Sequence, residues 1–350
     1  MNNKLISYIK NEVPTLSKDN IGLFTGKAGC CLALYIINSK IKDAQLERIA
    51  DTLLEEIIEA ASLCKDLSLD RGLTGIGFVI NFLISNGYVE GDLDEMLSDI
   101  DALLYKNLKD ENIQHSTNFT SGLVGYLVYL VERLSHSTSC DSLYYKINEA
   151  SLRAIVNKLE IVMPTQFAGI TKDVYTSLIY NYPILFIYLR KSLKLNIYSE
   201  KICNTIRSWS TYLSSYIPYY NINKLYMAVA LAYLNKKMQN TLLDRYIRIL
   251  IFSLDMKGLY KEINVNIMNI NEGFFFVEIL LVVAKKLFAN TKFEKECDIL
   301  YQKIYEKITP IYYKNIQAMP LKNFNLHLID GILGVESINI LYPSFFKLDI

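Results

Sequence analysis

The sequence predicts an all-α protein, an α/α toroid of about seven helical hairpins with inner and outer helix layers, and three observations carry that prediction. Apolar residues recur at three- and four-residue spacing in helix-length segments joined by short polar connections, with few alternating, strand-like runs. Only 7 prolines interrupt 350 residues, and several fall between the periodic segments. A glycine-bearing head followed by an apolar run returns along the chain. Gly75 and Gly125 are fifty residues apart, room for two helices and their turns.

The heads justify the elements in order. Gly22, Gly26 and Gly29 precede CCLALYII; Gly72, Gly75 and Gly77 precede FVINFLI; Gly122 and Gly125 precede YLVYLVERL. Weaker heads follow. Ser177 to Pro183 leads into ILFIYL, Ile222-Asn223-Lys224 into MAVALAYL, Asn271-Glu272-Gly273 into FFFVEILLVV, and Asp330-Gly331 with Gly334 into VESINILY. A glycine at a helix head removes the Cβ and lets backbones crowd, so several helices can converge with their N-termini together. Inner helices are therefore expected to begin near Gly26, Gly75, Gly125, Pro183, Lys224, Gly273 and Gly331, within one domain spanning residues 1–350.

Composition narrows the class. A 51% hydrophobic content supports a substantial core, and the 26 tyrosines suit seams between helix layers, ring buried and hydroxyl wet. Lys plus Arg, 37, nearly cancels Asp plus Glu, 36, so the charge gives no argument for nucleic acid or an anionic membrane. Six cysteines form no CxxC pair and no disulfide-like spacing, which fits a reducing compartment. Lys10 and Glu12 break the N-terminal apolar region, and the longest apolar stretch, Gly273 to Ala284 with Glu278 inside, is short of the roughly 20 residues of a membrane span. A cytoplasmic protein with no membrane span is expected.

The GLxGIG-type heads, the phrase SLDRGLTGIGFVINFLISNGYVEGDLDEMLSDID and the closing LIDGILGVESINILY resemble the lanthionine synthetase C-like proteins, the cyclases of lantibiotic biosynthesis and their relatives. The resemblance covers essentially the whole chain, strongest in the first 135 residues. It implies a toroid whose inner helices surround a pocket. In active members a zinc ion there is held by a cysteine of a Trp-Cys-x-Gly head and a Cys-His pair of a Cys-His-Gly head. The metal activates a peptide thiolate that adds to a dehydrated residue.

This chain departs from that pattern at each ligand. Laid on it, the fifth head puts Ile222 at the tryptophan and Asn223 at the cysteine, and the sixth puts Asn271, Glu272 and Gly273 on Cys-His-Gly. The family's acid in the third head becomes Asn118, and the histidine of the fourth falls in the run Tyr180-Asn181. Carboxamides and a carboxylate replace thiolate and imidazole, so the zinc of the family is not expected here and no cofactor takes its place. Of the three histidines, His136 reads as solvated, while His115 and His327 precede heads and lie in reach of a pocket rim.

The spacing acid-Gly-x₄-Glu occurs twice, as Glu272-Gly273 with Glu278 and Asp330-Gly331 with Glu336. Six residues of helix place the second acid about 120° round from the first. These four carboxylates are either helix-start residues and isolated neighbours of tyrosine or lysine, or an acidic pocket for a cation or amine. Three functions stay open: a zinc-less accessory, scaffold or peptide-binding component of peptide maturation, partnered by a precursor peptide or a modifying enzyme; an enzyme of altered chemistry in the same pocket; and a carbohydrate-active toroid using paired acids.

Overall fold

Amphipathicity sorts the helices into two layers. In the computed structural model, which describes residues 3–17, 20–137, 139–171, 180–265, 270–307 and 310, the described residues form helices and loops and no strand. Contacts gather the described residues into two compact units, one within Met1–Leu159 and one within Glu160–Pro320.

The first unit contains α1 (Asn3–Glu12), α2 (Lys27–Ile41), α3 (Ala44–Ala61), α4 (Leu73–Ser85), α5 (Leu93–Lys109), α6 (Leu123–Ser135) and most of α7 (Leu143–Gln166). Helices α2, α4 and α6 pack side by side. They are apolar nearly all round: α2 buries every residue from Lys27 to Ile37, and α6 all but Glu132 from Leu123 to Leu134. A helix covered on both faces needs such a sequence. Their partners are one-sided. Along α3 only Leu46, Ala50, Leu53 and Ile57 are buried, and along α5 Leu97, Ile100, Asp101, Leu104 and Leu108, which is one stripe each. Thus α2 with α3 and α4 with α5 are inner–outer hairpins.

The second unit repeats this with α8 (Asn181–Lys194), α9 (Ser199–Leu213), α10 (Asn221–Met238), α11 (Thr241–Phe252), α12 (Met256–Val265), α13 (Ile270–Leu287) and α14 (Lys292–Lys307). Helix α10 lies between α8 and α13, while α9, α11 and α14 back them in turn. The short α12, which no glycine head announces, packs on α10 and α14.

Helix starts explain the difference between layers. The outer helices α3, α5 and α11 use side-chain caps: Asp43 accepts from the N–H groups of Gln45 and Leu46, Asp92 from Asp94 and Glu95, and Asn240 from Leu242 and Leu243. The inner helices α2, α4 and α6 have Gly26, Gly72 and Gly122 as N-caps, without a capping side chain. So the repeat aligns Gly26 with Gly72 and Gly122, and the helices start two or three residues before the expected Gly75 and Gly125. Likewise α8, α10 and α13 start before Pro183, Lys224 and Gly273, and the head at Gly331 lies outside the described residues.

Burial of charge ties α5, α6 and α7 together. The Asp101 carboxylate, fully buried, accepts from the Tyr129 hydroxyl at 2.6 Å, the Asn148 amide at 2.8 Å and Arg133 Nε at 3.2 Å. Arg133 NH2 reaches on to Asp94 at 2.5 Å. Burial pushes the Asp101 carboxyl above its ordinary range, against the pull of Arg133 and the Tyr129 and Asn148 donors.

Candidate functional site

The heads of α2, α4 and α6 share one loop conformation, fixed by backbone. In each, the first helical N–H donates back seven residues: Lys27 to the Asn20 carbonyl at 2.9 Å, Leu73 to Asp66 at 2.8 Å, Leu123 to Ser116 at 2.9 Å. Adjacent loops are then stitched together. Leu23 N–H donates to the Asp70 carbonyl at 2.6 Å, and Asp70 N–H donates to the Thr120 carbonyl at 3.0 Å. In the α4 and α6 heads the second glycine is needed for this closeness. A Cβ on Gly75 would stand 2.1 Å from the Leu69 carbonyl and 3.1 Å from Leu23 Cβ; on Gly125, 2.2 Å from the Phe119 carbonyl and 3.1 Å from Leu69 Cβ. The α4 head therefore seats Leu23 and the α6 head Leu69, each an apolar residue of the preceding loop.

In the second unit the α8 and α10 heads, where glycine is missing, are closed differently. Glu262 of α12 accepts from Asn221 N–H at 3.0 Å, Ile222 N–H at 3.1 Å and the Asn221 side chain at 2.8 Å. A carboxylate on the free N–H groups of α10 stabilises its positive end. Asn221 Oδ1 accepts in turn from Asp255 N–H. Tyr180 is the N-cap residue of α8; its buried hydroxyl donates to the Ile170 carbonyl at 3.3 Å, and burial raises its pKa strongly.

The expected site residues fall as follows. Asn118 is exposed in the head loop of α6, where its carbonyl accepts from Gly122 N–H. Asn223 sits in the first turn of α10, 2% exposed. Three residues on, Tyr226 is buried and meets the Phe276 ring of α13 edge-to-face at 4.7 Å. Asn271 and Glu272 belong to the first turn of α13. Glu278 lies farther along α13, 8% exposed. Asp330, Glu336 and His327 lie outside the described residues, so the structure brings Asn223 and Glu278 to neighbouring helices of one unit and does not address the four-acid grouping.

Asn223 carries a neutral carboxamide, a weaker donor to zinc than a charged thiolate. Among the described residues no three histidine, cysteine or acidic side chains gather into a metal-holding group. The described histidines are engaged in the first unit. His115 Nε2 donates to Asn107 Oδ1 at 2.9 Å and its pKa is lowered chiefly by burial; His136, exposed as expected, donates from Nδ1 to the Glu132 carbonyl at 2.9 Å. Sequence reasoning missed Glu262 and the stitched loops. Forty residues separate Glu262 from the N–H group of Ile222 that it caps, and backbone bonding has no side-chain signature.

The three buried cysteines supply no activated thiolate. Cys30, Cys31 and Cys297 are buried, and burial pushes the Cys30 and Cys297 thiols up to about 12 and Cys31 higher still. Cys140 is exposed and Cys64 and Cys203 are half-buried. Brief treatment with iodoacetamide at about pH 8, near the ordinary thiol pKa, is expected to label Cys140, Cys64 and Cys203 in the native protein and the other three only after unfolding. Peptide mapping reads this directly; fast native labelling of Cys30 or Cys31 is the contrary result.

No family model matches the chain, and no curated protein matches it. Among solved structures it is similar to nisin cyclase, with TM-score 0.63 and 13% identity, over 99% of this chain and 96% of that one. At that identity the likeness bears on architecture, and it shows the fold class: an all-α protein of the α/α toroid kind, as its repeated heads predict.

Proposed function

We propose that this chain is a zinc-less relative of the lanthionine cyclases, a scaffold or peptide-binding component of lanthipeptide-type maturation that acts in the cytoplasm beside a precursor peptide or an active modifying enzyme. The observation that carries the reading is Asn223, a buried carboxamide in the first turn of an inner helix at the position which the sequence resemblance gives to a cysteine ligand. The likeness to nisin cyclase supports a peptide as the ligand. The replacements at Asn118, Tyr180, Asn271 and Glu272 support the loss of metal and of proton transfer together: asparagine does not titrate, and burial moves the Tyr180 hydroxyl further from neutrality.

Two measurements test it. After dialysis the purified protein is expected to hold no stoichiometric zinc by metal analysis. A tightly held equivalent, lost on Asn271→Ala or Glu272→Ala, defeats the proposal. Incubated with a dehydrated peptide bearing a cysteine, the protein is expected to consume free thiols, counted by alkylation, no faster than buffer alone. Faster loss means that the chain is a cyclase.

The same reading takes residues 1–350 as one domain. Coverage of nearly the whole of both chains in the likeness supports it. Calorimetry is expected to give a single unfolding transition whose van't Hoff and calorimetric enthalpies agree. Two transitions, at separate temperatures, would split the chain along its two compact units.

A further inference from the structure

Helix α5 carries an exposed face that complements itself. Its buried stripe includes Leu97, Ile100, Leu104 and Leu108. On the opposite side an exposed stripe runs at four- and three-residue steps through Glu95, Asp99, Ala102, Lys106 and Lys109. Met96 and Leu103 lie beside it, 39% and 47% exposed. Acids stand at the start of the stripe and bases at its end, so two copies laid antiparallel bring opposite charges together along their length. Asp99 and Lys106 make no ion pair with a described residue.

The space beside this stripe suits a helix. Helix α3 packs chiefly on α2 and α5 on α4, and a groove of about 620 Å³ lies between the two outer helices. From Met96 to Lys106 it runs about 15 Å, nearly three helical turns. Its α3 wall carries Ile58, 42% exposed, so large apolar side chains stand half-open on both sides. Apolar surface gathered in this way fits the apolar face of an amphipathic helix. Charge selects which helix. The groove is acidic toward the start of α5, where Glu95 and Asp99 stand and where Glu55 of α3 is exposed one turn before Ile58; it is basic toward Lys106. An antiparallel helix with acids first and bases last matches both ends. Helix α5 is itself of that kind, with Asp94 and Glu95 in its first turn and Lys106 and Lys109 in its last, whereas α3 has no base in its last turn. We propose that the protein pairs with a second copy of itself about a twofold axis near Ala102 and Leu103, the α5 of each copy lying antiparallel in the groove of the other. In that register Asp99 meets the partner's Lys106 and Glu95 meets the partner's Lys109, and the symmetry makes each pair twice. An interface built on one helix pair is at the small end of the range, so the dimer is reversible. This inference does not depend on the peptide-maturation reading.

Sedimentation equilibrium of the full-length chain tests it. The weight-average mass is expected to rise with concentration from that of one chain, 40.3 kDa, toward twice that, and less steeply at high salt, which screens exposed charges. Asp99→Lys and Lys106→Glu each set like charges together at two places and should weaken the dimer about tenfold or more, with urea unfolding little changed because both sites are exposed. Mixed in equal amounts, the two variants should associate again, since each supplies the charge that the other needs. Leu103→Ser should also weaken the dimer. Phe252→Ser, at an apolar side chain 94% exposed in the other unit, should not. A single chain at every concentration leaves the groove to a different protein and overturns the proposal. A dimer that survives both charge variants, that mixing does not restore, or that responds to Phe252→Ser and not to Leu103→Ser overturns it as well.

Discussion

Arg133→Met is expected to lower the free energy of unfolding by about 3–5 kcal/mol, the usual cost of leaving one member of a buried pair uncompensated. Arg133 and Asp101 are 1% and 0% exposed, so solvent does not screen the loss. Methionine fills much of the space, and what remains is a carboxylate held only by the Tyr129 hydroxyl and the Asn148 amide. The pH dependence carries a definite sign. Burial already raises the folded-state pKa of Asp101 above its ordinary value, and removing Arg133, which lowers it, raises it further. A carboxyl with a raised folded pKa imposes its penalty above that pKa and is relieved as pH falls toward the unfolded value, about 4. The deficit of the variant is therefore largest near neutrality and shrinks in acid. Adding Asp101→Asn should restore part of the stability, since the new amide is neutral and Asn148 has an unpartnered Oδ1 to turn toward it. Urea unfolding at several pH values measures all of this; a deficit that grows in acid contradicts the assignment.

The second large effect is expected at the helix heads. Gly75→Ala and Gly125→Ala should each cost about 3 kcal/mol, the upper end of overpacking penalties, because the new methyl meets backbone and not a flexible side chain. The Leu69 carbonyl stands 2.1 Å from the Cβ position of Gly75. It cannot withdraw freely, because its neighbour Asp70 is bonded through its carbonyl to Leu23 and through its N–H to Thr120. Displacing Leu69 also moves its Cβ, which would stand 3.1 Å from a methyl added at Gly125, so the double variant should lose less than the sum of the two. Gly87→Ala is the contrast. There φ is +69° and the space is open, so only the left-handed backbone costs, about 1 kcal/mol. Similar losses at Gly75 and Gly87 would mean that the stitched loops are not what the glycines serve.

The sequence by itself determined the inner and outer helices and their layering. Periodicity and one-residue chemistry are local: the all-round apolar runs of α2 and α6 and the single stripes of α3 and α5 can be read from side chains three and four places apart. Tertiary structure decided what the heads do. Gly75 and Gly125 read as helix starts, yet the caps are Gly72 and Gly122, and the later glycines serve the close approach of Leu23 and Leu69 from other loops. The α10 head has no glycine to read, and its N–H groups are satisfied by Glu262 on a helix that no pattern announced. Asp101, Arg133 and Asn148 each look like ordinary polar breaks in separate helices, and only packing makes them a buried network. Periodic burial depends on neighbours along the chain, whereas hydrogen bonds between heads and charges between helices depend on which segments the fold brings within 3 Å, and no single segment encodes that distance.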